Sequence, residues 1–194
     1  AWLINMRGSD IEYNPVNYAY AIVSKDGATL FMDERKLDAK GRKFLSENGI
    51  NLMPYKDVYG VAEQLSDRVL IDKDKTNYAL FSRIANAKET DVFPTTLRKA
   101  IKNDIEIKNM KKAHVEDGVA MVRFMRYLKE RAGKDDMSEI SLADKLETFR
   151  RESKNFIDLS FDTICGYASN GAIVHYSATA QTDKKVENKG LLLV

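Results

Sequence analysis

Through the first ninety residues, short apolar runs alternate with mixed stretches. Tyr18 to Val23 and Leu30 to Met32 are compact runs separated by Lys25-Asp26-Gly27. Runs of that length around an Asp-Gly turn predict two strands closed by a tight hairpin. From Leu37 to Asn48 the pattern is weakly helical, and Gly49 follows as a stop. Tyr55 to Leu65 reads as a second helix, Arg68 to Asp72 as a third strand and Thr76 to Ala87 as another short helix. Alternation of this kind predicts a small α/β unit.

Asp91-Val92-Phe93-Pro94-Thr95-Thr96 marks a boundary, because proline disfavours helix for the residue before it. The division expected is 1–92 and 93–194. Asn103 with Glu106 three residues later has capping-box spacing, and Met110, Ala113, Val115, Val119, Val122, Met125 and Leu128 recur behind it at helical intervals up to Gly133. A second helix is expected from Ser138 or Ser141 to about Ser153, with Leu142, Leu146 and Phe149 as its apolar face. Strands are then expected at Phe161 to Cys165, Ala172 to Tyr176 and Leu191 to Val194. Helices followed by strands make this half α+β. The terminal Leu-Leu-Leu-Val run reads as a buried strand without its neighbours, which is a pairing hazard.

Composition narrows the function classes. The 194 residues are 44% hydrophobic and 31% charged, ordinary for a globular protein. With 31 Lys and Arg against 29 Asp and Glu, the net charge of +2 gives no footprint for nucleic acid. No apolar run approaches the roughly 18 residues of a membrane span, and the opening Ala1-Trp2-Leu3-Ile4 lacks the basic region of a signal peptide. The single cysteine, Cys165, excludes an internal disulfide and fits a reducing compartment. Two histidines and one cysteine cannot build a Cys/His zinc site, so any metal would be held mainly by carboxylates.

His175 is the sharpest chemical candidate. It lies in Asn170-Gly171-Ala172-Ile173-Val174-His175-Tyr176, after an Asn-Gly turn and at an expected strand end. An imidazole there can bind substrate or relay protons, although a hydrogen-bonded structural histidine is the plainer reading. His114, among Lys111, Lys112 and Glu116, reads as a surface or packing residue, and Cys165 as a small buried hydrophobe. Arg7 opens Arg7-Gly8-Ser9-Asp10, either as a loop in which Gly8 takes an unusual backbone angle and Arg7 pairs with an acid, or as a loop offering Arg7 to a substrate carboxylate or carbonyl. Arg150 and Arg151 suit a helix C-terminus and need no further role. No phosphate-binding glycine loop and no His-Glu-x-x-His helix is present.

Taken in order, these segments resemble the three-domain Xaa-Pro aminopeptidases (aminopeptidase P). Trp2 to Ile11 with Tyr13-Asn14-Pro15 resembles the start of that family's middle-domain motif, and Lys108 to His114 the opening helix of its catalytic domain. Glu139 to Lys145 through Phe149-Arg150 resembles its second helix. Phe161-Asp162-Thr163-Ile164 and Asn170 to Tyr176 resemble the run before its first metal ligand. The resemblance implies a creatinase N-terminal-like α/β domain over 1–92, incomplete at its start, followed over 93–194 by the first half of a pita-bread fold.

For the parent protein the resemblance implies a metallo-aminopeptidase that hydrolyses the bond before proline with water activated by two divalent metals, usually manganese. It also implies peptides with proline at the second position as substrates, a homodimer and a cytoplasmic location, to which the composition adds the expectation of no nucleic-acid or membrane partner. His175 matches the family's active-site histidine, which contacts substrate and helps stabilise the intermediate rather than binding metal. In the family, the strand matching Leu191 to Val194 runs into the first metal-binding aspartate. The expectation is therefore a fragment that ends before all five metal ligands, holds no metal and has no peptidase activity alone. The alternatives are a metal-free pita-bread domain that binds peptides or histones, and a prolidase or creatinase relative.

Overall fold

The first elements form where a tight turn and a crossover helix can satisfy their backbones. Strands β1 (Ala19–Val23) and β2 (Ala28–Met32) pair antiparallel from Val23↔Ala28 to Ala19↔Met32. Their connection closes through the Ser24 N–H donating to the Gly27 carbonyl. Helix α1 (Ala39–Glu47) is capped by Asp38, whose side chain accepts from the Gly41 N–H. It ends at Gly49, whose φ of +64° is the left-handed stop that suits glycine. The chain returns as β3 (Ile50–Met53), parallel to β2, which becomes the middle strand of three. Leu30, Phe31 and Met32 are all buried, as a central strand covered on both faces requires.

A second parallel pair follows in the same manner. Helix α2 (Val58–Glu63) leads to β4 (Val69–Asp72), α3 (Tyr78–Phe81) and β5 (Ala87–Thr90), and β4 pairs parallel with β5. Ala62, Ile71 and Ile84 form its small core. The helix expected over Thr76 to Ala87 is thus a single turn, and β3 and β5 were not legible as strands. Both hold four residues and owe their form to a parallel neighbour rather than to a pattern of their own. Helix α4 (Pro94–Ala100) places Pro94 at its first turn, where the missing N–H costs nothing.

All 194 residues are described by the structure, a computed structural model. They fall into two compact units, Ala1–Lys102 and Asn103–Val194. The division follows α4, so Pro94 begins the last helix of the first unit and Asn103 begins the second unit. No helix is long and apolar enough to cross a membrane.

The second unit is built on α5 (Asp104–Arg131) and α6 (Glu139–Arg151). Asn103 and Glu106 form the capping box expected of them, and Ser138 and Ser141 form another at the start of α6. Phe124, Leu142, Leu146, Met137, Cys165, Tyr167 and Val186 make the core. The face of α5 that packs here is Ala120, Met121, Phe124, Tyr127 and Leu128. Of the apolar positions expected to face inward, Met110, Val115, Val119, Val122 and Met125 are exposed. The helix carries two apolar stripes, and bulk selects between them. Phe124 packs with Leu142 and Leu146 of α6, and Ala120 is buried one turn earlier.

Strand β6 (Gly166–Tyr167) pairs antiparallel with β7 (Leu192–Leu193), so the terminal apolar run has a sheet partner after all. The strands expected at Phe161 to Cys165 and Ala172 to Tyr176 do not form. Beyond β6 the chain enters a 3-10 turn over Ala168–Ala172, followed by an irregular loop.

Candidate functional site

The least exposed polar residue of the chain is Glu139, at 0%. Ser138 caps α6, which places Glu139 at the first helical position, where the helix dipole favours an anion. An ionised carboxylate at this depth is driven neutral unless its oxygens are fully engaged. Here they are. Oε1 accepts the Tyr167 backbone N–H at 2.6 Å and Asn170 Nδ2 at 3.1 Å. Oε2 accepts the Tyr176 hydroxyl at 2.6 Å and the Lys184 backbone N–H at 3.2 Å. Burial pushes the Glu139 carboxyl up, but these donors outweigh it and hold the group below the usual glutamate range. Burial and the same carboxylate raise the Tyr176 phenol, which keeps its proton as the donor.

The donors come from segments far apart in sequence, so one carboxylate gathers the end of the unit. Residues 184–186 run antiparallel to the lead-in of α6, with Glu139 N–H donating to the Lys184 carbonyl at 3.1 Å and Val186 N–H to the Met137 carbonyl at 2.8 Å. Asp183 accepts the Ile140 N–H at 3.1 Å. A Cβ on Gly166 would lie 3.0 Å from Gly171 Cα, and one on Gly171 would lie 3.0 Å from the Gly166 carbonyl oxygen. That close approach seats the 3-10 turn on β6.

His175 lies on the loop that leaves this cluster. Asn170 and Tyr176 at its two ends both bond Glu139, and Asn170 Nδ2 also donates to the Tyr176 hydroxyl oxygen at 2.8 Å. Between them Ile173, Val174 and His175 are exposed. The backbone is left-handed at Ala168 (φ +52°) and at His175 (φ +53°). Such non-glycine conformations cost roughly 1–3 kcal/mol each and persist where the surroundings over-determine them. His175 is therefore neither at a strand end nor a buried structural histidine. Side-chain bonds from Asn170 and Tyr176 to Glu139 displace the extended form expected of this motif.

His114 is exposed on α5, in keeping with a surface role. Cys165 is buried, and burial first, then the charges of Glu139 and Asp183, push its thiol up to about 12. Arg7, in the first unit, is exposed and donates to the carbonyls of Met6 at 3.2 Å and Ala1 at 3.4 Å rather than to an acid. Gly8 lacks a positive φ, and its small size instead admits Asn17, whose Oδ1 a Cβ there would overlap at 1.8 Å. No group of three or more His, Cys, Asp or Glu side chains is arranged to hold a metal ion.

Sequence reasoning passed over Glu139 as an organising residue. Its signal was local, an acid directly after a serine N-cap, but acids there are usually solvated. Nothing in the pattern shows that Tyr167, Asn170, Tyr176 and Lys184 converge on it.

Compared with known proteins, residues 1–106 match the family model described as Creatinase/Prolidase N-terminal domain, and residues 108–194 match that of Metallopeptidase family M24. A probable Xaa-Pro aminopeptidase P of Sordaria macrospora is 39% identical over 191 residues, covering 91% of this chain and 31% of the relative. Xaa-Pro aminopeptidase 1 of Dictyostelium discoideum is 39% identical over 203 residues, covering 100% of this chain and 32% of the relative. Among solved structures, the X-prolyl aminopeptidase of Caenorhabditis elegans, described as a cytosolic enzyme with a di-nuclear active site, superposes with a TM-score of 0.91 at 32% identity. That match covers 96% of this chain and 32% of the nematode protein. The chain thus spans about a third of the length of the relatives it matches.

Proposed function

This chain belongs to the creatinase/prolidase family, and we propose that it is part of an aminopeptidase that removes the residue ahead of proline from peptide N-termini. The observation that carries the proposal is the course of the chain, 96% of which follows about a third of the nematode X-prolyl aminopeptidase. On this reading the second unit is the opening half of a pita-bread catalytic domain, and the substrates are peptides with proline at the second position. The protein works in the cytosol as a homodimer.

His175 is the substrate-contacting residue of this half. Its imidazole, exposed on a loop held at both ends, binds the peptide and stabilises charge as the bond before proline is attacked. The donor set of these 194 residues does not fit a two-metal centre, since no three His, Cys, Asp or Glu side chains converge. In this proposal the ligands of two manganese ions belong to residues outside the 194. The isolated chain therefore holds no metal pair and has no peptidase activity. Arg7 is a weaker candidate for a substrate contact, because its guanidinium already serves two backbone carbonyls of its own loop.

The test is a manganese-supplemented assay of the full-length gene product on a peptide with proline at position two, beside the 194-residue chain. Metal-dependent release of the first residue by the full product, and none by the chain alone, supports the proposal. No release by the full product overturns the activity. Release by the chain alone overturns the assignment of the metal ligands.

A further inference from the structure

We infer that Glu139 is the positioning residue for His175: one buried carboxylate clamps both ends of the loop that presents the imidazole. This rests on the reading of His175 as the substrate-contacting residue and extends it inward to a side chain that never meets substrate.

The clamp is visible in the geometry. Asn170 Nδ2 reaches Glu139 Oε1 and Oε2, both at 3.1 Å, and the Tyr176 hydroxyl reaches Oε2 at 2.6 Å. The loop between them is five residues long and carries His175 directly before Tyr176. A loop so short, tied at both ends to one point, has few conformations left, and a left-handed His175 is among the states it enforces. Tyr167 N–H on the near side and Lys184 N–H on the far side tie the flanking chain to the same oxygens. The main chain at Glu139 is anchored, because its backbone N–H is bonded to the Lys184 carbonyl and the residue opens a capped helix. Its four donors are two backbone amides, one side-chain amide and one phenol. Each offers a directed hydrogen bond rather than the diffuse attraction of a cation, so the carboxylate fixes direction as well as distance.

Two measurements test this, one independent of activity. In the isotopically labelled 194-residue chain, the amide order parameters of Ile173 to His175 and the left-handed shift signature of His175 are followed by NMR in Glu139→Gln and in the milder Tyr176→Phe. A side-chain amide at 139 sets an N–H₂ against donors that need an acceptor. The loop order parameters should therefore fall below about 0.6 while the Leu142 to Leu146 amides stay protected. Tyr176→Phe, which keeps the carboxylate, decides the matter if Glu139→Gln does not fold. An unchanged loop in a folded Tyr176→Phe chain overturns the proposal.

The second is a double-mutant cycle on peptide hydrolysis by the full-length product. If Tyr176→Phe acts through His175, it should lower kcat/KM at least tenfold alone and add less than twofold in a His175→Ala background. Full additivity overturns the positioning role. A His175→Ala protein with undiminished kcat/KM instead overturns the reading of His175, leaving the loop measurement to judge the clamp.

Discussion

The Tyr176 hydroxyl donates to Glu139 Oε2 at 2.6 Å, across 37 residues of sequence, and the phenol is buried with the carboxylate it serves. That bond closes the segment carrying His175 against the start of α6. It makes the conformation of an exposed loop depend on a residue that solvent never reaches. Asn170 and Tyr176 also bond each other and reach Thr182, but Glu139 is the acceptor that all four donors share, so disturbing it acts on all of them together.

Glu139→Ala should therefore be among the most destabilising substitutions in the second unit. It strands buried donors and leaves a cavity, a loss on the order of 3 kcal/mol. Urea titration followed by tryptophan-independent circular dichroism at the helix signal would read it. A loss below about 1 kcal/mol would mean that the donors find water without penalty.

Acid should act on the same group. The folded value of Glu139 lies below its unfolded one, so the unfolded state binds more protons across the carboxylate range. Its contribution is present above the ordinary glutamate value of about 4.3 and is lost as pH falls through the lower folded value. Denaturant midpoints between neutral pH and mild acid should fall less steeply in a folded Glu139→Gln chain than in the native one. Equal slopes would remove Glu139 as a source of the acid sensitivity.

Cys165 should be inert in the folded chain. Its thiol is buried and pushed up to about 12, so almost no thiolate exists near neutrality. An aromatic disulfide reagent should label it at the rate of unfolding and stoichiometrically in denaturant. Fast labelling of the native chain would contradict the burial described.

The two apolar stripes of α5 give a comparison within one helix. Phe124→Ala should cost about 3–5 kcal/mol, because Phe124 fills the core against α6. Val119→Ala, on the exposed stripe, should stay within about 0.5 kcal/mol in this chain. Equal losses would show that both faces are packed.

What the sequence made legible was local. Asn103 with Glu106 and Ser138 with Ser141 declare their helix starts because every partner lies within one turn. The hairpin at Lys25-Asp26-Gly27 is likewise self-contained. The missed features depend on distant partners. β3 becomes a strand because β2 lies beside it, and α5 buries Phe124 rather than its valines because α6 meets that side. In the His175 segment, Asn170 and Tyr176 read as a turn residue and a strand residue. They are hydrogen-bond donors to a glutamate more than thirty residues away, and this overrides the extended form their neighbours favour.

The most direct test of the account is the effect of His175→Ala on steady-state hydrolysis of a proline-second peptide by the full-length, manganese-loaded product. The account expects kcat/KM to fall by about 100-fold or more, with circular dichroism and metal content unchanged. A His175→Ala protein that cleaves the peptide as well as the native one would contradict it.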